Sequence, residues 1–416
     1  MNKQKLFISE DWVAVILAAI IIVVVATGIY PVQAANYNWE NAGELSLRIF
    51  TGANLMNVLW QFVFVLIIAV AGAWLTRKPL QYFMATFTLV YIITVIAMII
   101  AGNGFVKTLN LETVIFSLAI GLFIGNIFSL PPWLKESLST ELFVKVGLVL
   151  LGCSIIFSDI LKAGVLGLVQ ALFVVVAVWY FAYWVCRKLK IDNEMTMMLA
   201  SAVSICGVSA AIATAGAIKG DTKKLSYVIS LVLVTAVPMM IAMPYIAAWM
   251  GLSQEVTGAW LGGTIDTTGA VVASGTMVGE TALKISTIVK FSQNVLLGIA
   301  AFAISVYWTY SKAAGKEQEK PTLKTIWERF PKFVIGFIAA SVLFSFVIDE
   351  ELISQVKNPL KHLQSLWFAL AFTSIGLETR FSDLANTSNR KPLYAFLIAQ
   401  LFNVIFTLII ALLLFR

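Results

Sequence analysis

Histidine is almost missing from this chain. One histidine, His362, serves 416 residues, and it falls in a stretch that reads as a loop. A lone loop histidine excludes histidine-based metal centres and the Ser–His and Cys–His pairs of nucleophilic catalysis. The patterns HExxH, GxSxG and GxxxxGK[ST] are absent as well, which excludes zinc proteases, serine hydrolases and ATP-driven pumps. Cysteine is scarce. Cys153, Cys186 and Cys206 all lie in apolar stretches without CxxC spacing, so they form neither a disulfide framework nor a thiolate cluster. Charge is also short: 12% of residues are Asp, Glu, Lys or Arg, against about 25% in a soluble domain.

Apolar residues fill the gap, at 60% of the chain. That composition belongs to an all-α polytopic membrane protein. The net charge of +7 does not point to nucleic acid, because the basic residues sit in short clusters between apolar runs, as the positive-inside rule expects. Runs near 12–31, 56–76, 81–101, 111–130, 163–186, 226–249, 286–310, 333–348 and 392–415 approach the length needed to cross ~30 Å of hydrocarbon. The first follows Lys3 and Lys5 and ends in "VQAAN". It is too long for a signal-peptide core and reads as an uncleaved helix. Four more segments, 143–160, 197–218, 257–278 and 365–380, are apolar but interrupted by "LLGCSI", "SICGVSAA", "GGTIDTTGA" and "FTSIGLET". Together these make about 11–13 membrane segments.

The basic clusters orient the chain. Arg77 and Lys78, then Arg187, Lys188 and Lys190, then the charged linker 311–332, then Arg390 and Lys391 all read as cytoplasmic, with the N-terminus inside. The lysines of "KGDTKK", 219–224, fall on the wrong side if 197–218 crosses completely. They fall inside if 197–218 is a re-entrant hairpin, with 257–278 the matching hairpin from the opposite face. Two broken spanning helices are the other arrangement compatible with the sequence. The segments "LLGCSIIFSDIL", 150–161, and "SIGLETRFSDLA", 374–385, align at Gly152/Gly376, Phe157/Phe381, Ser158/Ser382 and Asp159/Asp383, and the topology sends the two copies in opposite directions. Opposed copies mark an inverted-topology repeat; Asp159 and Asp383 also suit plain helix capping. The chain thus divides into additional N-terminal membrane helices (1–110) and a first inverted repeat (111–190) with the broken segment 143–160. A central region (191–310) with broken segments 197–218 and 257–278 follows. The cytoplasmic linker (311–332) leads to the end of the second repeat (333–416), with the broken segment 365–380.

Backbone inside hydrocarbon must have its polar groups satisfied by protein or water. Glycine-rich breaks there expose helix N-termini, which attract anions, and unwound carbonyls, which coordinate cations. We therefore expect "SICGVSA" and "GGTIDTTGA" to face one another across a substrate cavity. Gly262 and Gly263 break the helix, and Thr264, Thr267 and Thr268 supply hydroxyls. Gly269 admits the ligand, and Ser204, Cys206, Gly207 and Ser209 face it. Thr373 and Ser374 add hydroxyls from the second repeat. Close helix packing through small residues, as at Gly121-xxx-Gly125, is the competing explanation. Asp266 stands apart, because an intramembrane acid is expensive and is functional by default. Lys290, with Gln293 and Asn294 one turn on, is the second polar island; it serves either as the partner of Asp266 or as a snorkelling interfacial lysine. Asp266, Lys290 and Asn294 are the candidate coupling residues.

The elements "SAVSICGVSAAIATAGAIKGD", "WLGGTIDTTGAVVASG", "GLVLLGCSIIFSDI" and "GLETRFSDL" resemble the YeiH-type sulfate-exporter family over roughly residues 110–416. The resemblance implies a transporter fold of the cation:proton antiporter and anion transporter clan, with inverted repeats and crossing broken helices. The chain departs from the family pattern at Ile265–Asp266, where a His–Glu pair is expected; the acid is kept and the histidine lost, which puts a histidine proton relay in doubt. Residues and resemblance together suggest a secondary active transporter of a small anion, a sulfate-like oxyanion, sulfonate or carboxylate. It would work by elevator-like alternating access coupled to protons or sodium. An anion channel is the alternative, and a membrane-embedded enzyme, lacking paired catalytic acids, comes last. No cofactor is expected beyond a bound sodium ion. The expected partners are the anion, the lipid bilayer and a second copy in a homodimer, with no nucleic acid; the expected location is the bacterial cytoplasmic (inner) membrane.

Overall fold

The computed structural model describes residues 8–28, 35–108, 113–310, 327, 330–379 and 390–416. The longer helices are α1 (Glu10–Ala26), α2 (Gly52–Leu75), α3 (Leu80–Ala101), α4 (Thr113–Ile127), α5 (Thr140–Gly152), α6 (Phe157–Lys188), α7 (Asn193–Ser204), α8 (Val208–Ile218), α9 (Thr222–Trp249), α10 (Gln254–Thr264), α11 (Thr268–Val278), α12 (Glu280–Tyr310), α13 (Lys332–Val342), α14 (Glu350–Glu378) and α15 (Lys391–Leu414). Among the described residues there is no strand, only one bridge between Trp39 and Asn103. Among the described residues six helices, α2, α3, α6, α9, α12 and α15, are long and apolar enough to cross a membrane. Most of linker 311–332, and Phe381, Ser382 and Asp383 of the second repeat copy, lie outside the described residues.

The chain forms two compact units, one of residues Met1–Phe157 and Lys332–Arg380, the other of Ser158–Pro331 and Phe381–Arg416. These units cut across the sequence segments. The N-terminal helices are not a separate layer, because α1 packs on α5, α13 and α14, and α3 packs on α4 and α14. In this first unit α4 and α14 cross at backbone distance. A methyl group on Gly121 would lie 2.5 Å from the carbonyl of Thr373, and one on Gly376 would lie 2.6 Å from that of Leu118. The expected break at 365–380 is therefore absent: α14 runs unbroken through Gly376. The glycine lets two helices touch, the use that small residues have in membrane packing, and does not interrupt one. An ionic cluster ties the unit together. Lys145 Nζ lies 2.8 Å from Glu10 and 3.0 Å from Asp11, and Asp11 also accepts the Lys332 N–H at 2.8 Å.

The second unit is built on two hairpins. Helices α7 and α8, of 12 and 11 residues, each span roughly 17 Å at 1.5 Å per residue, about half the hydrocarbon thickness. Their outer ends meet. The Asp221 N–H donates to Glu194 at 3.3 Å, and Lys224 Nζ bonds Asp192 at 2.7 Å and Glu194 at 3.1 Å. The chain therefore returns to the level at which it entered, and the lysines of "KGDTKK" share that level with Arg187, which donates to Asn193 at 2.6 Å. Asp221 caps α9 there; the N–H groups of Lys224 and Lys223 hold its carboxyl below the usual carboxylate range. Helix α9, 28 residues and about 42 Å long, then carries the chain to the opposite end. There α10 and α11 form the second hairpin, closed at its base where Gln254 accepts the Ala282 N–H at 3.4 Å. Its glycines belong to helix faces. Gly262 and Gly263 lie inside α10, and a methyl group on either would collide with the Ser286 carbonyl or the Gln170 amide. The expected break at these glycines falls instead at Ile265–Thr267, just beyond them.

Candidate functional site

Both hairpin tips end on one side chain. Lys290, on α12, is 1% exposed. Its Nζ donates to the carbonyl of Ile205 at the first tip (2.8 Å), to that of Ile265 at the second (2.8 Å), and to Gln293 Oε1 (2.9 Å). An ammonium carries three donors, and all three are engaged. The tips are related by a local repeat. Ser204-Ile205-Cys206 and Thr264-Ile265-Asp266 occupy equivalent places at the ends of α7 and α10, and both isoleucine carbonyls bind the same nitrogen.

Three amides complete the cage. Gln293 Nε2 donates to the carbonyls of Ser204 (3.3 Å) and Gly263 (2.9 Å). Asn403 Nδ2, on α15, reaches those of Val203 and Thr264, each at 3.2 Å. Gln400 Nε2 adds a bond to Thr264 at 3.1 Å. These carbonyls are the ones that α7 and α10 leave without helical partners at their C-terminal ends, and side chains supply the donors that water would supply in solution.

Asp266 is the unbalanced member. It is 1% exposed, and neither carboxyl oxygen accepts a hydrogen bond. The expected pairing with Lys290 does not form, because the ammonium is held by the tip carbonyls. Lys290 is also not a snorkelling lysine, being buried at mid-helix. Asp266 packs against Gly207, whose φ is +59°. A methyl group on Gly207 would lie 3.1 Å from Asp266 Cβ and 2.6 Å from Val232.

The remaining predicted residues divide into two sets. Thr267 and Thr268 are half-buried and Ser209 is exposed. The Thr267 hydroxyl caps α11 through the Ala270 N–H at 3.3 Å, and Thr268 Oγ1 accepts from Asn294 Nδ2 at 3.2 Å. Cys206 is 6% exposed and stands opposite Asp266 in the local repeat. The other set points inward. The Ser204 hydroxyl bonds back to Ala200 at 2.7 Å, Thr264 Oγ1 has no partner, and Gly269 is buried within α11. Thr373 and Ser374 belong to the first unit, where Thr373 bonds Thr94 at 2.8 Å and Ser374 bonds the Leu370 carbonyl at 2.9 Å. Their hydroxyls are satisfied within that unit. Sequence reasoning missed Gln400 and Asn403. Two amides one turn apart in an otherwise apolar run were the available signal.

The helices and the paired hairpins define an all-α, multi-pass membrane protein. Comparison with known proteins places it more closely. The family model for Conserved hypothetical protein 698 matches residues 85–395, and the chain belongs to that family, the YeiH family its motifs resemble. It is 38% identical to a UPF0324 membrane protein of Rhodopirellula baltica over 82% of this chain and 64% of the relative. It is 37% identical to one of Nitratidesulfovibrio vulgaris over 80% and 59%, and 29% identical to one of Nitrosomonas europaea over 78% and 76%. The match thus spans less than two thirds of the first two relatives' own lengths. No solved structure matches the chain.

Proposed function

We propose that this protein is a secondary active transporter of a small anion, working by alternating access in the bacterial cytoplasmic membrane with its N-terminus inside. The observation that carries this reading is the meeting of two half-membrane hairpins, entered from opposite ends of α9, at a buried lysine. Opposed hairpins put each tip within reach of one aqueous side, which a single site exposed alternately to both sides requires. The hairpins also end in helix N-termini. Helix α8 begins at Gly207 without a side-chain cap, so its first N–H groups and dipole are available to an anion. Thr268, Asn294 and the exposed Ser209 offer further polar contacts beside it. An oxyanion, sulfonate or carboxylate fits these donors. The basic residues of the first hairpin's base mark its cytoplasmic side.

Purified protein in liposomes tests the reading. Labelled sulfate, isethionate and lactate are offered across imposed gradients of anion, pH and sodium. Saturable uptake with counterflow is the expected result for at least one of them. Single-channel currents in a planar bilayer, without saturable counterflow, would replace the transporter with a channel.

A further inference from the structure

We propose that Asp266 is a proton-binding site whose occupancy is tied to that of the anion, so that one proton enters the site with each anion. The inference rests on the anion-transporter reading and names its coupling ion.

The argument begins with charge. The hairpin tips enclose one fixed positive charge, Lys290, and one acid, Asp266, both 1% exposed. They share no contact of ion-pair length. The ammonium is ringed by neutral oxygens, while the carboxyl group has no donor on either oxygen. A carboxylate in this position is stabilised chiefly by the field of a lysine it does not touch. An arriving anion adds a second negative charge, and the site then holds two anionic groups against one cation in a medium of low dielectric. Protonation of Asp266 restores neutrality for a monovalent anion, and offsets one of the two charges of sulfate, without moving Lys290. The proton comes from the aqueous side by which the anion enters, adds to the carboxylate as a carboxyl O–H, and leaves with the anion.

Sodium is the competing coupling ion; the tips offer it no unengaged main-chain carbonyl at 203–205 and 263–265, and it would rest on Asp266 with the unpartnered side-chain oxygens of Thr264, Asn294 and Gln400. A sodium site in unwound helices draws on free main-chain carbonyls. Here the carbonyls of Val203, Ser204, Ile205, Gly263, Thr264 and Ile265 all accept from Lys290, Gln293, Gln400 or Asn403. A proton needs only the carboxyl oxygen, which is free.

Few other groups can titrate with it. Two are titratable: Lys290, which faces the tips from α12, and Cys206, at the first tip. From α9 come Val232, against Gly207, and Met239, which accepts from Gln400. From α15 come Gln400 and Asn403, and from α6 Gln170, which donates to Ala259 at 2.7 Å. None of the residues from α9, α15 and α6 carries a titrating group.

Infrared difference spectroscopy of the full-length protein in detergent tests the proposal without requiring transport. Sulfate is added in weakly buffered solution without sodium. The wild type is expected to gain a protonated-carboxyl band and to take up protons; Asp266→Asn is expected to lose both, and Asp266→Glu to keep a shifted band. The same sulfate-induced band and proton uptake in Asp266→Asn would overturn the assignment, as would wild-type sulfate binding that needs sodium and takes up no proton. In liposomes, sulfate-dependent alkalinisation of the source compartment by wild type and its loss in Asp266→Asn are expected. The two failures separate cleanly. Proton uptake on sulfate binding with no sulfate flux under any gradient sinks the transporter reading and leaves the proton site. Flux indifferent to pH, in wild type and Asp266→Asn alike, does the reverse.

Discussion

Replacing Lys290 by methionine should cost this protein several kcal/mol of stability, and the structure permits the sum. Methionine keeps much of the side-chain length but removes the three donors that reach Ile205, Ile265 and Gln293 at 2.8, 2.8 and 2.9 Å. Each buried acceptor left unsatisfied costs about 1–3 kcal/mol, so the three together cost roughly 3–9 kcal/mol if none finds a new partner. Against this, the variant no longer holds an ammonium out of water, which returns several kcal/mol. Asp266 also loses its balancing charge, and protonation limits that loss. The net is a destabilisation of about 2–5 kcal/mol, since breaking a buried arrangement by removing one member usually costs that order. At ~2–4 °C per kcal/mol for a unit of this size, the melting temperature in detergent should fall by roughly 4–20 °C. Asn403→Leu provides an internal scale. It strips the donor from Val203, while Gln400 still serves Thr264, so it should cost about 1–3 kcal/mol. Melting curves followed by tryptophan fluorescence would check both. A Lys290→Met protein melting within about 1 °C of wild type, well below the scatter of single-site effects, would refute the claim that this lysine holds the two tips.

Three further outcomes follow from the same geometry. Gly207→Ala should fold poorly or lose transport, because its φ of +59° and the 2.6 Å approach to Val232 leave no room for a Cβ; normal melting and flux would contradict this. In a cysteine-free background, Lys223→Cys and Glu255→Cys should be labelled by impermeant maleimide from opposite faces of oriented vesicles, and labelling of both from one face would rule out opposed hairpins. Gly376→Leu should lower the yield of folded protein by wedging α4 from α14, whereas Gly52→Ala, where an added Cβ meets nothing within 4 Å, should lower it much less; equal yields would show that the crossing is not close-packed.

Much of this was legible in the residues. The misplaced lysines of "KGDTKK" pointed to a hairpin, since charge distribution records which end of a segment meets water, and the contact of Lys224 with Asp192 and Glu194 closes that hairpin. Asp266 and Lys290 were visible as polar islands because hydrocarbon makes such residues costly. Their lack of contact was not visible: spacing along a chain cannot tell whether an ammonium will choose a carboxylate or a pair of carbonyls. Glycine misled for a related reason. Gly262, Gly263 and Gly376 read as helix breakers, yet each lies within a helix and meets a neighbour. A missing Cβ serves both uses, and only the partner surface decides between them.

The hairpin tips are held through their main chain, by donors that come from α12 and α15. Every polypeptide has the carbonyls that Lys290, Gln293, Gln400 and Asn403 grasp, whatever its side chains at 203–205 and 263–265. The hairpins are therefore free to vary in composition, and the information that specifies this arrangement is stored in four residues on two outwardly ordinary apolar helices. A homologue with different letters at the tips but the same four donors would build the same cage. One with the familiar "SICG" and no lysine on α12 would not.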